Sequence, residues 1–476
     1  MRKQHLLTLT AVGAATLLAT AVAPASATGP TAPRATTAAT PANPSDFNGD
    51  GYPDLAIGAT TATVDGFTRA GAVSVVYGSP TGLRYDKASF ISQASPGVPG
   101  EPAKNGRWQE IRGSGDFDAD GYDDLVMGSG GGHTWILWGS PEGITGTTTN
   151  LPDLEAGWRD RVVGAAAIGD VNGDGHADIL SLSSYVNIGY DLAVEYGPFT
   201  REGEAASTVI RGVEVRDGHA SDTLKVGDMT GDGIDDVLFT GRASKLDFST
   251  KTSILKGTKA GLVNAGPLTA PTGLGDFGDI NKDGYQDYVG SNPGTEKVTV
   301  VYGGPKGAST TLASRTFTQN TPGVPGTSET GDRFGSAIEV ADTDQDGYAD
   351  ILIGARDETG TDPEATLRSG AVTILRGSAT GVTTTGAQVI TQNTAGVPSA
   401  SEKEDHFGAT LRVLDTDKDG RPELYVGGYG EDAYTGRVWK LNTGTTGVTG
   451  TGATSFNLSS LGGPAGGASF GIHLVG

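Results

Sequence analysis

Apolar residues in this chain come in short runs. Each run alternates with polar positions or is bounded by glycine, and the pattern repeats from residue 55 to the far end. Runs of this length with Gly-rich boundaries predict strands joined by turns. Residues 334–392 show the unit best. A strand is predicted over 334–340, a second over 351–354, a third over 370–377 and a fourth over 389–392. The third strand recurs at 71–78, 135–139, 298–303 and 436–439. A post-strand turn recurs with it, at 79–83, 140–144 and 378–382. Trp135, Trp138 and Trp439 fall in these runs and are expected in the core, with Trp108 as a first-strand aromatic. Four antiparallel strands per unit make one blade of a propeller.

Between the first and second strands lies a nine-residue polar loop with oxygen-bearing residues at positions 1, 3, 5 and 9. It occurs seven times, at intervals of 51 to 73 residues. The seven sets are Asp46, Asn48, Asp50, Asp54; Asp116, Asp118, Asp120, Asp124; Asp170, Asn172, Asp174, Asp178; Asp228, Thr230, Asp232, Asp236; Asp279, Asn281, Asp283, Asp287; Asp342, Asp344, Asp346, Asp350; and Asp415, Asp417, Asp419, Glu423. Alternate side chains of a tight loop converge, and converging hard oxygens suit Ca²⁺. Glycine at position 6 permits the turn. Three or four carboxylates within nine residues are costly without a cation. The pattern is not an EF-hand, because position 12 is Ile57, Met127 or Ile353, inside strand-like runs. Up to seven Ca²⁺ are therefore expected.

The Phe334-Gly335 and Phe407-Gly408 starts, the Asp loop and the Gly370-Ala371-Val372 strand resemble the FG-GAP repeats of the integrin α-subunit propeller and its bacterial relatives. Val162, Ala220 and Pro271 replace the Phe in repeats three to five. The resemblance covers about residues 46–476. It implies an all-β fold: a seven-bladed β-propeller of four-stranded antiparallel blades, with Ca²⁺ in the first hairpins and adhesion or ligand binding on the opposite face. Repeat one lacks a Phe-Gly strand before Asp46, and an unused one stands at 469–476. An unpaired blade would leave exposed edges. The C-terminal strand is thus expected to complete the first blade.

The ends and the composition add location and partners. Arg2 and Lys3, an apolar stretch from 6 to 22 and Ala25-Ser26-Ala27 predict a signal peptide over 1–27 and a secreted, extracellular protein. Residues 28–45, rich in Thr, Ala and Pro, predict a disordered spacer. The propeller takes 46–476. No Cys is present, so disulfides do not hold it. The net charge of −22 argues against nucleic acid and anionic membranes as partners. No further segment is long enough to span a membrane after signal removal. The function expected is a calcium-binding ligand-binding or cell-adhesion module, acting as a monomer on an extracellular protein or carbohydrate. An extracellular hydrolase or a lectin on the same frame is the alternative. The six His show no zinc-like spacing and no Gly-x-Ser-x-Gly occurs, so no catalytic residue is nominated.

Overall fold

In blades one and six the second and third strands are mostly apolar and are covered on both faces. Leu55–Ala59 with Ala72–Tyr77, and Asp350–Ala355 with Ala371–Arg376, are buried at every position. A computed structural model describes residues 45–476, apart from 109, 129–133, 153–158, 186–188, 216–222, 243–249, 269–273, 361–365 and 465. The expected signal peptide and spacer, along with His133, Ala220 and Pro271, lie outside the described residues, Ser45 excepted.

Seven four-stranded antiparallel sheets form, one per repeat. Blade six runs Phe334–Ala341, Asp350–Ala355, Ala371–Arg376 and Thr383–Ile390. Its fourth strand begins well before the predicted 389. Thr383–Ile390 reads Thr-Thr-Thr-Gly-Ala-Gln-Val-Ile and is mostly exposed or half-buried, so no apolar alternation marks it. Blade five adds a small hairpin, Gly303–Gly304 with Gly307–Ala308.

The first strands of successive blades touch one another all the way round, and the strand of blade seven touches that of blade one. The apolar core is divided to match. Seven buried clusters lie one at each seam between neighbouring blades. Trp108, Trp138 and Trp439 are among the largest fully buried side chains, and Trp135 is buried too. Blades three to five keep their places in the ring although they lack the Phe-Gly start.

Blade one is completed from the far end of the chain. Phe470–Val475 pairs antiparallel with Leu55–Ala59, matching Ala56 with Val475 and Ala59 with Phe470. Phe470 also docks on blade seven, where its N–H donates to the Thr435 carbonyl at 3.1 Å. Phe407 and Trp108 do the same to Ser369 and Ala70 of their preceding blades. A glycine follows each acceptor because the incoming backbone lies against it. A Cβ on Gly370 would sit 2.1 Å from the Phe407 carbonyl oxygen, and one on Gly436 would sit 2.2 Å from the Phe470 nitrogen.

Candidate metal loops and the opposite face

The connections between first and second strands, and between third and fourth, share one face of the disc. All seven Asp loops lie there. Each folds round its position 1 aspartate, whose Oδ2 accepts the N–H of the position 6 glycine at 2.7–3.0 Å. The position 5 carboxylate accepts the N–H of position 7 in every loop. These bonds turn each loop tightly, and in loops six and seven the carboxylates of positions 1, 3 and 5 converge.

Position 9 does something spacing alone does not reveal. Asp54, Asp124, Asp178, Asp236 and Asp287 are wholly buried, and Asp350 nearly so. In Asp54, Oδ2 accepts the Phe47 N–H at 2.9 Å and Oδ1 accepts the Gly78 N–H, at the end of the third strand, at 2.8 Å. The same pair of bonds recurs at Asp124, Asp178, Asp287 and Asp350. Asp236 clamps Thr230 and Gly257. The position 9 side chain thus fastens the loop to the blade. A carboxylate oxygen has two lone pairs, so each can also serve a cation. Burial pushes Asp54 and Asp124 up to about 8, and Asp178 and Asp287 up to about 7. The strand-end glycine is required by contact: a Cβ on Gly78 would lie 2.4 Å from the Pro53 carbonyl oxygen. Blade seven changes both partners together, with Glu423 at position 9 and Thr443 in the glycine's place.

Carboxylate oxygens of three residues converge within 4.8 Å in loops two (Asp116, Asp118, Asp124), six (Asp342, Asp344, Asp346) and seven (Asp415, Asp417, Asp419). Among the described residues no such acidic trio forms in loops one, three, four and five, where position 3 is Asn or Thr. The loops also differ in their basic neighbours. Arg201 contacts Asp118 and Asp120 in loop two, and Lys256 Nζ is 2.8 Å from Asp232 in loop four. Arg376 Nη1 is 2.7 Å from Asp350 and 3.3 Å from Asp344 in loop six, and Lys440 Nζ is 3.2 Å from Glu423 in loop seven. Loops one, three and five have no such base among the described residues. Every loop with a fourth carboxylate therefore carries one base against it. Six loops keep the same excess of three carboxylates, and loop four keeps two. The signal for two of these bases was present: Lys256 and Arg376 directly precede the strand-end glycine, where blades one, three and five have Tyr77, Tyr196 and Tyr302.

The opposite face carries the longest connections, 318–333 and 391–409 among them. Between blades six and seven, His406 stacks on Tyr429 with ring centroids 4.7 Å apart, and Tyr429 lies 6.4 Å from Tyr434. Tyr434 Oη donates to Glu404 at 3.0 Å, and His406 Nδ1 is 3.0 Å from Asp357. Arg368 Nη1 reaches Glu404 at 3.5 Å. Tyr434 and Arg368 are among the most exposed members of this patch. Among the described residues no helix is long and apolar enough to cross a membrane.

The FG-GAP repeat family matches residues 40–76, 334–375 and 407–439, and the FG-GAP-like repeat family matches 116–181. These segments include loops one, six, seven, two and three. Phosphatidylinositol-glycan-specific phospholipase D of Rattus norvegicus is 32% identical over 111 residues, covering 22% of this chain and 13% of that protein. Integrin alpha-8 of Gallus gallus is 40% identical over 100 residues, covering 21% of this chain and 9% of that protein. The chain thus spans about a tenth of the length of the curated relatives it matches. The chain is thus a seven-bladed propeller that carries FG-GAP repeats in the segments matched.

Proposed function

We propose that this chain is a secreted propeller whose Asp loops hold Ca²⁺ as a structural ion and whose opposite face binds an extracellular ligand. The observation that carries the calcium reading is the constant charge excess. Six of the seven loops, with different residues at position 3, reach the same surplus of three carboxylates because bases balance the extra ones, and loop four, with Lys256 against Asp232, keeps two. A surplus held constant in this way suits a hard divalent cation, with the position 7 carbonyl and water completing the shell. The position 9 clamp gives that ion a mechanical role, since it ties the loop to the end of the third strand.

The patch around Tyr434, Tyr429 and Arg368 supports the ligand reading. The exposed Tyr434 ring, with the half-buried Tyr429 beside it and a guanidinium and carboxylates around them, suits a polar polymer, either a peptide or a saccharide. Equilibrium dialysis against Ca²⁺ tests the first part: several ions per chain are expected, and none bound would overturn it. For the second part, peptide and glycan arrays should give a signal that Tyr434→Ala removes. Equal binding by the variant would move the site elsewhere.

A further inference from the structure

We propose that Glu329, Asp332 and Glu358, with the amide oxygen of Gln319, form a separate divalent-cation site, suited to Ca²⁺, at the seam between blades five and six on the face opposite the Asp loops. Gln319, Glu329 and Asp332 lie in the connection from Arg315–Phe317 to Phe334–Ala341, and Glu358 follows Asp350–Ala355. Carboxylate oxygens of the three acids lie within 4.8 Å of one another. Asp332 is 2% exposed and Gln319 is 6% exposed. The Gln319 amide is held at the cluster by its Nε2, which donates to Glu358 Oε2 at 2.6 Å. Its Oε1, on the same carbon, is buried without a donor. Glu296 adds a fourth carboxylate nearby, accepting the Gly331 N–H at 2.7 Å. No Lys or Arg pairs with these acids among the described residues. The flanking Arg333 and Arg356 both turn to Asp357 instead.

The next seam supplies an internal control. Gln392, Glu402, Asp405 and Glu431 repeat the same four residues, each 73 positions further along. Their contacts repeat too: Gln392 Nε2 donates to Glu431 Oε2 at 2.7 Å, and the Glu402 N–H donates to Asp405 Oδ2 as that of Glu329 does to Asp332. There, however, Arg437 Nε stands 3.4 Å from Glu431 and Ser399 Oγ donates to it at 2.7 Å. In the earlier seam the place of Ser399 is taken by Gly326, and the strand position of Arg437, opposite Gly428, is taken by Ala371, opposite Ala355. A Cβ on Gly326 would meet only the Gln319 amide, at 3.9 Å, so there is room beside it. The Gln392 Oε1 also lacks a donor; the two seams differ in charge and space. One is closed by its own arginine and serine. The other keeps its acids, loses the cation and leaves a gap. Burial and mutual repulsion push Glu358 up to about 7 and Asp332 up to about 6. A divalent ion with three carboxylates, an amide oxygen and water would relieve both.

Native mass spectrometry of the full chain in Ca²⁺ counts bound ions whatever the Asp loops hold, so this site and those loops fail separately. Glu358→Gln should bind one ion fewer than the unaltered chain, and Glu431→Gln should bind the same number. Ala371→Arg, which copies the closed seam, should also lose one ion. It decides the matter if Glu358→Gln fails to fold. An unchanged count in Glu358→Gln and Ala371→Arg overturns the site and leaves a shared proton as the link between the acids.

Discussion

The two faces of the disc solve the same connection problem differently. On the Asp-loop face the turns are short, and their backbone N–H groups bond to carboxylates of the same repeat. They are also chained to their neighbours. The position 8 N–H of one loop donates to the position 1 carbonyl of the loop before it, as in Asp123 to Asp46, Gln286 to Asp228 and Ala349 to Asp279. On the other face the connections vary in length, from 293–296 in blade five to 391–409 between blades six and seven, and those around blade seven expose aromatic and ionic side chains. Uniform loops locked to one another build the frame, and the variable loops hold the ligand site proposed above.

The largest effect that would test this contrast is removal of metal. A ligand at 100 times its Kd adds about 2.7 kcal/mol to the folded state. Several loaded loops should therefore make EDTA lower the thermal midpoint by roughly 10 °C or more. An unchanged midpoint would sink the structural role of the ion.

Next in size is the pH response of the chelated protein. Burial holds the position 9 carboxyls, about 7 to 8 in Asp54, Asp124, Asp178 and Asp287, above their unfolded values near 4. The folded state then binds more protons across that window, so its stability falls as pH rises from about 4 to about 8. Ca²⁺ favours the charged form and should flatten or reverse the slope. Chemical denaturation at pH 5 and pH 8, with EDTA and with Ca²⁺, reads both slopes. Greater stability at pH 8 in EDTA would contradict the clamp.

Within one loop the effects should divide by position. In EDTA, Asp287→Ala strands the N–H groups of Ile280 and Gly303 and should cost about 3 kcal/mol. Asp283→Ala should cost less than about 1 kcal/mol, because its bonds are exposed. Equal costs in urea unfolding would reduce position 9 to a ligand like the rest. The smallest effect belongs to the other face: Tyr434→Ala should change stability by no more than about 0.5 kcal/mol. A larger loss would make that patch part of the frame.

Much of this frame is legible in the sequence. The Asp spacing marks every first hairpin, and the unused Phe470-Gly471 pair announces the closing strand. The fourth strand of blade six is not legible, because an outer strand half open to water needs no apolar period. Nor does spacing separate a carboxylate that binds metal from one that caps two backbone amides. That distinction rests on Gly78 and its equivalents, which come close only after the blade has folded. Counting carboxylates ranks loop six above loop four, and loops two, six and seven above the rest. Arg201, Arg376 and Lys440, placed against these loops by the fold, bring the three level with loops one, three and five.

The closing strand also bears on how such a chain is made. Synthesis runs from the N-terminus, so Leu55–Ala59 forms its hairpin with Ala72–Tyr77 early and then waits for a partner about 400 residues downstream. Until Phe470–Val475 emerges, that strand is an open edge, able to pair with the same edge on another nascent chain. Chains interrupted late in translation would carry nearly every blade and still be the most adhesive in the wrong sense. A secretory route that holds the polypeptide extended until its last residues have crossed would spare it that hazard.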